Sequence, residues 1–272
     1  MAEIGRGEIW VANAGHELNL EYPLPSTEEL VTAWESYLEA SQNVVAAPEV
    51  FGVVRLPSQR PTAYASIDLC EILRQTGIAV RAVEDQQLAT QPPAYYAASV
   101  SVHDVTPISQ VLINNNLVPP IDTIEAIAEI VQRWSGDGVY LLVNTSTHPG
   151  CELATIRFLK QYMPRTFDGI LFPRNHDGSS PLTKGVAARN VLLALEAGER
   201  SATTAIHIDD TTHHDIGFRQ AMQALPNVHV ATFQPVYPWG NPGDAGSVQT
   251  TTPLEAFEQA DAFLRQQLTR AA

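Results

Sequence analysis

Along residues 108–272, short apolar runs alternate with longer segments whose apolar residues recur every three or four positions. SQVLI, VYLLVN, FDGILFP, TAIHID and VHVATF have the length and bounded apolar character of strands. PPIDTIEAIAEIVQRWSG, CELATIRFLKQYM, PLTKGVAARNVLLALEAG, IGFRQAMQAL and PLEAFEQADAFLRQQL have helical spacing. That alternation predicts an α/β fold of three layers (α/β/α), Rossmann-like, with a mostly parallel sheet covered on both faces.

Residues 1–104 are less regular. GEIWVANA, IAVRAV and AASVSV read as strands, and STEELVTAWESYLEA reads as a helix. In that helix Ser26 is placed to cap the start, Glu29 to complete a capping box, and Leu30, Trp34 and Leu38 to share one face. AYASIDLCEILRQTG predicts a second helix, stopped by Gly77. The Pro and Gln of EDQQLATQPPAYY suggest a linker. The expected division is therefore an N-terminal α/β or α+β extension over 1–104 and the main domain over 105–272.

With 272 residues, 44% of them hydrophobic, the chain can bury a substantial core. Sixteen basic against 30 acidic residues give a net charge of −14. Phosphate backbones and anionic lipids are held by clustered Lys and Arg, so neither nucleic acid nor a membrane surface is an expected partner. A single small anionic or phosphorylated ligand, or a protein partner, remains compatible with that charge. No stretch is long enough for a membrane span and no export signal is visible, so the expected location is cytoplasmic. Cys70 and Cys151 form no CxxC pair and are expected to be reduced. Only Lys160 and Lys184 are lysines.

In a parallel sheet the carboxyl ends of the strands share one crevice. Read that way, SQVLI delivers Asn114, Asn115 and Asn116, and VYLLVN delivers Asn144, Thr145 and Ser146. The loop before the third helix delivers Lys184, and TAIHID delivers Asp209 and Asp210. In that order VLINNN, YLLVNTS, PLTKG and AIHIDD resemble the four motifs of the haloacid dehalogenase-like (HAD) superfamily over roughly residues 108–272.

The resemblance implies a HAD-type sheet and a phosphate-binding crevice. It puts Asn114 where the family has its nucleophilic Asp and Asn116 where it has its acid/base Asp. Thr145, or Asn144, stands for the phosphate-binding hydroxyl, and Lys184 for the lysine that steadies the nucleophile. Asp209 and Asp210 stand for acidic residues that help hold Mg²⁺. An amide is uncharged, a poor nucleophile and no proton carrier, so two amides in the first motif imply a catalytically degenerate protein with weak Mg²⁺ binding. Its crevice would still bind an anion, a phosphate ester or a partner. The rival readings are a Mg²⁺-dependent phosphatase or hydrolase, and an interaction module working through the N-terminal region. Asn also favours turns, because it tolerates left-handed dihedrals, so the amides have a purely local reading as well.

IDDTTHHDIG concentrates His213, His214 and Asp215 beside Asp209 and Asp210. With His148 these could ligate a transition metal, or they could cap and flank the next helix. Cys151, near a helix start, invites a thiol-nucleophile reading for which the sequence supplies no partner.

Overall fold

The computed structural model describes residues 22–40, 43–74, 110, 112–147, 149–174, 182–196, 203–225, 228–236 and 243–271. GEIWVANA, IAVRAV, AASVSV and His148 lie outside these residues.

Helix α1 (Thr27–Leu38) begins as its sequence predicts. Ser26 Oγ accepts from Glu29 N at 3.2 Å and Glu29 Oε2 accepts from Ser26 N at 2.7 Å, so two helix-start donors are satisfied reciprocally. Strands β1 (Val44–Ala46), β2 (Phe51–Arg55) and β3 (Ala63–Ile67) follow. Then come a single helical turn, α2 (Cys70–Leu73), and α3 (Ile124–Gly136), β4 (Val139–Asn144) and α4 (Glu152–Tyr162). β5 (Gly169–Phe172), α5 (Lys184–Glu196), β6 (Thr204–Ile208) and α6 (Thr212–Met222) continue the alternation. The last elements are β7 (His229–Pro235), β8 (Val248–Thr250) and α7 (Pro253–Ala271).

Among the described residues, all of these strands join one 8-stranded sheet in the order β1-β2-β5-β4-β3-β6-β7-β8. The run from β5 to β8 is parallel throughout, and β2 turns the outer edge antiparallel by pairing with β5 and β1. Period-two alternation sends Ala63, Ala65 and Ile67 of β3 into one core, with α1, α3, α4 and α7. Tyr64 enters the other core, with α5 and α6. The fold is therefore the expected three-layer α/β/α class.

Three expectations are corrected. The division at residue 104 does not separate two sheets, because β1, β2 and β3 are built into the same sheet as β4–β8, with β3 at its centre. AYASIDLCEILRQTG opens as a strand, Ala63–Ile67, and is helical only over the single turn Cys70–Leu73. Ala63, Ala65 and Ser66 keep β3 slim enough to be packed on both faces, and all five of its residues are buried.

SQVLI is not a strand either. Gln110 and Leu112–Asn114 are helical, and the three amides close that turn. Leu117 N bonds Leu112 O at 2.8 Å, and Asn116 N bonds Ile113 O at 3.1 Å. Asn116 sits at φ 56°, in the left-handed region. These paired bonds around a left-handed residue are a Schellman helix stop, completed by Leu117 packing in the cluster that holds Leu112. The amides answer to backbone geometry.

Candidate active site

β3 is the strand from which the parallel sheet winds both ways: β4 and β5 lie on one side, β6, β7 and β8 on the other. Strands diverging from such a switch point open a crevice at their carboxyl ends. The residue that β3 delivers there is Asp68, whose N–H bonds Ile208 O of β6 at 2.9 Å. β6 delivers Asp209, and α5 brings Lys184 between the two. Lys184 Nζ lies 2.6 Å from Asp68 Oδ1 and 2.6 Å from Asp209 Oδ2. None of the three side chains is more than 2% exposed.

Local sequence explains the lysine's placement. Thr183 Oγ1 accepts from Val186 N at 3.2 Å and so caps α5, with Lys184 as its first residue. A cation at a helix start opposes the macrodipole, and the contacts with two carboxylates outweigh that penalty. Gly185 brings α5 against α6: a Cβ there would meet Gly217 O at 2.4 Å. That close crossing holds Lys184 beside the start of α6, where His214 lies.

Asp209 is held on both oxygens. Oδ1 accepts from Thr211 N at 2.9 Å, and His214 Nδ1 lies 3.2 Å from Oδ1 and Oδ2 alike. Burial pushes the Asp209 carboxyl up, but the Lys184 charge and the His207 and His214 contacts outweigh it and hold it well below the usual carboxylate range. Asp209 is thus an anion at any physiological pH.

Asp68, Asp209 and Asp210 offer carboxylate oxygens that all lie within 4.8 Å of one another. Three hard anionic donors against one ammonium suit Mg²⁺, which selects such oxygens. The donor set fits the metal that the sequence resemblance implies, with Asp68 as a member that the sequence reading did not include.

The other expected residues are distributed unevenly. Asn144 and Thr145 are fully buried at the end of β4. Asn144 Nδ2 donates to Lys184 O at 2.8 Å, so it supports the backbone under the ammonium. Thr145 N bonds Leu171 O at 3.0 Å. His214 belongs to the cluster through Asp209, whereas His213 is exposed and stacks edge-on against His214 with ring centroids 4.1 Å apart. Burial and the neighbouring His214 lower the His213 pKa.

Asn114 and Asn116 are not at a strand end. Asn114 Nδ2 contacts Cys151 Sγ at 3.4 Å, and its carbonyl accepts from Arg157 Nη2 at 3.4 Å. Burial pushes the Cys151 thiol up to about 11, which argues against a thiolate nucleophile there.

The residues missed from the sequence are Asp68 and His207. An Asp closing a run of small and apolar residues, AYASID, was the available signal. It was masked by the helical residues that follow at once. A cavity of about 630 Å³ lies at the opposite end of the strands, near Arg55, Asp137 and Asp168. None of the cluster residues lines it, so charge and geometry identify the site, not cavity size.

No protein-family model matches this chain, and no curated protein matches it. Among solved structures it is similar to a protein from Burkholderia xenovorans LB400 described as haloacid dehalogenase-like, at 9% identity and a TM-score of 0.42. The match covers 73% of this chain and 98% of that one.

Proposed function

We propose that the crevice is the active site of a Mg²⁺-dependent HAD-like hydrolase acting on phosphate esters, with Asp68 as nucleophile. One observation carries this reading. Two buried carboxylates at the ends of adjacent central strands, Asp68 and Asp209, are each 2.6 Å from the same buried ammonium. Asp68 takes the place that the sequence resemblance had given to Asn114. The degenerate reading built on Asn114 therefore loses its basis, since that residue belongs to a helix stop.

A carboxylate is ionised at neutral pH and ready to attack phosphorus. Its oxygen forms a bond to phosphorus as the ester oxygen leaves with its electron pair, giving an aspartyl phosphate and an alkoxide or aryloxide, which takes any proton it needs from solvent. Water then adds to phosphorus, the aspartyl oxygen leaves, and inorganic phosphate and the Asp68 carboxylate are regenerated. Lys184 balances the charge of Asp68 and of the transferring group. Asp209 fixes the ammonium. Bound to Asp68, Asp209 and Asp210, Mg²⁺ would neutralise charge on the phosphoryl oxygens.

Cys70 stands two residues after Asp68, where the family motif has its second Asp. A thiol is a much weaker acid than a carboxylic acid. Substrates whose leaving group departs unprotonated, such as aryl and acyl phosphates, are therefore favoured. The same residue is what supports the second reading, a chain that binds phosphorylated ligands without turning them over.

Hydrolysis of p-nitrophenyl phosphate and acetyl phosphate with Mg²⁺ separates the two. Turnover in the parent that is lost in D68N and kept in N114A supports the hydrolase. No turnover, with Lys184-dependent binding of inorganic phosphate, supports the binding protein.

A further inference from the structure

Strand β7 lies on the far side of β6 from β3. It turns two polar side chains, Thr232 and Gln234, toward α6, while Phe233 between them joins the other core. The register that sets Phe233 beside Ile208 brings Gln234 next to the turn 209–211, which leads from β6 into α6. Gln234 is 0% exposed, and both ends of its amide are used. Nε2 donates to Asp210 O at 3.2 Å and to Thr212 Oγ1 at 3.0 Å, and Oε1 accepts from Asp244 N at 2.9 Å. Turned over, the amide would set its oxygen against the Asp210 carbonyl and its N–H groups against the Asp244 N–H. Only one orientation fits.

Asp244 opens a short strap, residues 244–247, closed by Ser247 N bonding Asp244 O at 3.0 Å. Arg219 of α6 holds both ends of it. Its Nη2 pairs with Asp244 Oδ2, and its Nη1 donates to Ser247 Oγ at 2.9 Å and to Thr232 Oγ1 at 2.7 Å. Ala245 and Gly246, at the tip of the strap, are exposed. At the other end of the chain of contacts stands the Asp210 carbonyl, which α6 leaves out of its own bonding: His214 N and Asp215 N both turn to Thr211 O. A carbonyl so placed needs a donor from elsewhere, and Gln234 supplies it. The peptide plane and the side chain of Asp210 share one Cα, so holding that plane limits where the carboxylate points.

We propose that Gln234 is a positioning residue for Asp210, tying the turn 209–211 to the strap so that the seating of the strap sets the aim of the Asp210 carboxylate into the cation site. A neutral amide suits the task, because it holds the turn without adding charge beside three carboxylates and an ammonium. The same turn steadies Asp209, whose Oδ1 accepts from Thr211 N at 2.9 Å. Partners that hold metal ligands in place in this way are worth about 10–100-fold in metal affinity. The effect on cation binding rests on the hydrolase reading; the tie between strap and turn does not.

The test combines calorimetric titration of the full chain with Mn²⁺ and hydrogen exchange of the Thr211 amide, followed by NMR without metal. Q234M keeps the length of the side chain and removes its three bonds. Its Mn²⁺ affinity should fall by about tenfold or more, and its Thr211 amide should exchange at least about tenfold faster. T212V removes one partner and leaves the Asp210 bond, so both readings should stay within about threefold of the parent. D244A frees the strap from Arg219 with Gln234 still present, and should lie between the two, at about three- to tenfold. Parent-like Mn²⁺ affinity or parent-like Thr211 exchange in Q234M, or a T212V loss as large as that of Q234M, would overturn the positioning role. Parent-like readings in D244A would overturn the part of the strap, and they decide the proposal should Q234M fail to fold. Should the parent bind no Mn²⁺, the hydrolase reading falls and Thr211 exchange alone decides the tie.

Discussion

Two stretches of this chain, Tyr64–Asp68 and Leu112–Asn116, have the same outline: a few apolar residues running into polar side chains. One is the last part of the central strand and delivers a carboxylate to a buried ammonium. The other is a helical turn ended by a left-handed asparagine. What separates them is the surroundings of the backbone. β3 is paired on both sides, by β4 and β6, so its polar terminus opens into the crevice. The Leu112 turn satisfies its own carbonyls through a Schellman stop, so its amides serve the helix end.

The comparison is broken most sharply by activity. Asp68→Asn should lower phosphatase turnover by at least about a thousandfold, as expected for loss of a nucleophile, while Asn114→Ala leaves it within about twofold. Steady-state rates with p-nitrophenyl phosphate read both. If N114A is the inactive variant, the roles of the two stretches are exchanged.

A large loss of stability is expected from Lys184→Met. The substitution leaves Asp68 and Asp209 buried against each other with no cation between them. Removing one partner from a buried charged group costs about 3–5 kcal/mol, read by urea unfolding at pH 7.

A smaller effect concerns Asp215, on α6 below His214. It is fully buried, Ser247 Oγ donates to its Oδ2 at 2.9 Å, and its Oδ1 has no partner. Burial, reinforced by the charge of Asp209, pushes its carboxyl up to about 8. The folded chain therefore keeps a proton that the unfolded chain releases near pH ~4. The contribution is complete below that pH and is lost as pH rises to about 8. Asp215→Asn should flatten this fall and be more stable than the parent at pH 8 by on the order of 1–3 kcal/mol. Urea melts at pH 5 and pH 8 check the sign.

The smallest effect lies in the asparagine stop. Asn116→Ala places a Cβ-bearing residue with no local hydrogen bond at φ 56° and should destabilise by about 1 kcal/mol; Asn116→Gly should be neutral within a few tenths. Asn114→Asp with Asn116→Asp should leave Mg²⁺ affinity unchanged, because neither residue belongs to the carboxylate cluster.

The sequence made α1, with its capping box, and the succession from α3 to α7 readable, because long periodic helices and apolar strands leave clear patterns. Lys184, Asp209 and Asp210 were also readable as residues at strand ends and a helix start. Asp68 was not, for a physical reason. A central strand packed on both faces is built here from Ala63, Ala65 and Ser66, whose small side chains weaken the apolar signal, and four helical residues follow within three positions. The branched residues before Asn114 gave a false strand signal, since an apolar run of that length is compatible with either structure. β8 was hidden in a loop rich in Pro and Gly; three residues with two of them exposed leave almost no pattern. His207 escaped notice because a polar residue inside a strand declares its role only once its neighbours are known.

The position of β3 has a consequence for how the molecule is made. Its partners come late: Ser66 and His207, which touch in the finished sheet, stand 141 positions apart in the chain. During synthesis, β3 waits without either neighbour until β4 is made, and then as a strand with one missing edge until β6 follows. β4 can dock on one side well before β6 leaves the ribosome. Pairings so distant in sequence slow closure and leave strand edges open to misassembly. The N–H of Asp68 finds its acceptor, Ile208 O, only when β6 arrives. Asp68, Lys184 and Asp209 can therefore come together only after about three quarters of the chain has been made, and the acidic cluster is assembled in the same late step that closes the sheet.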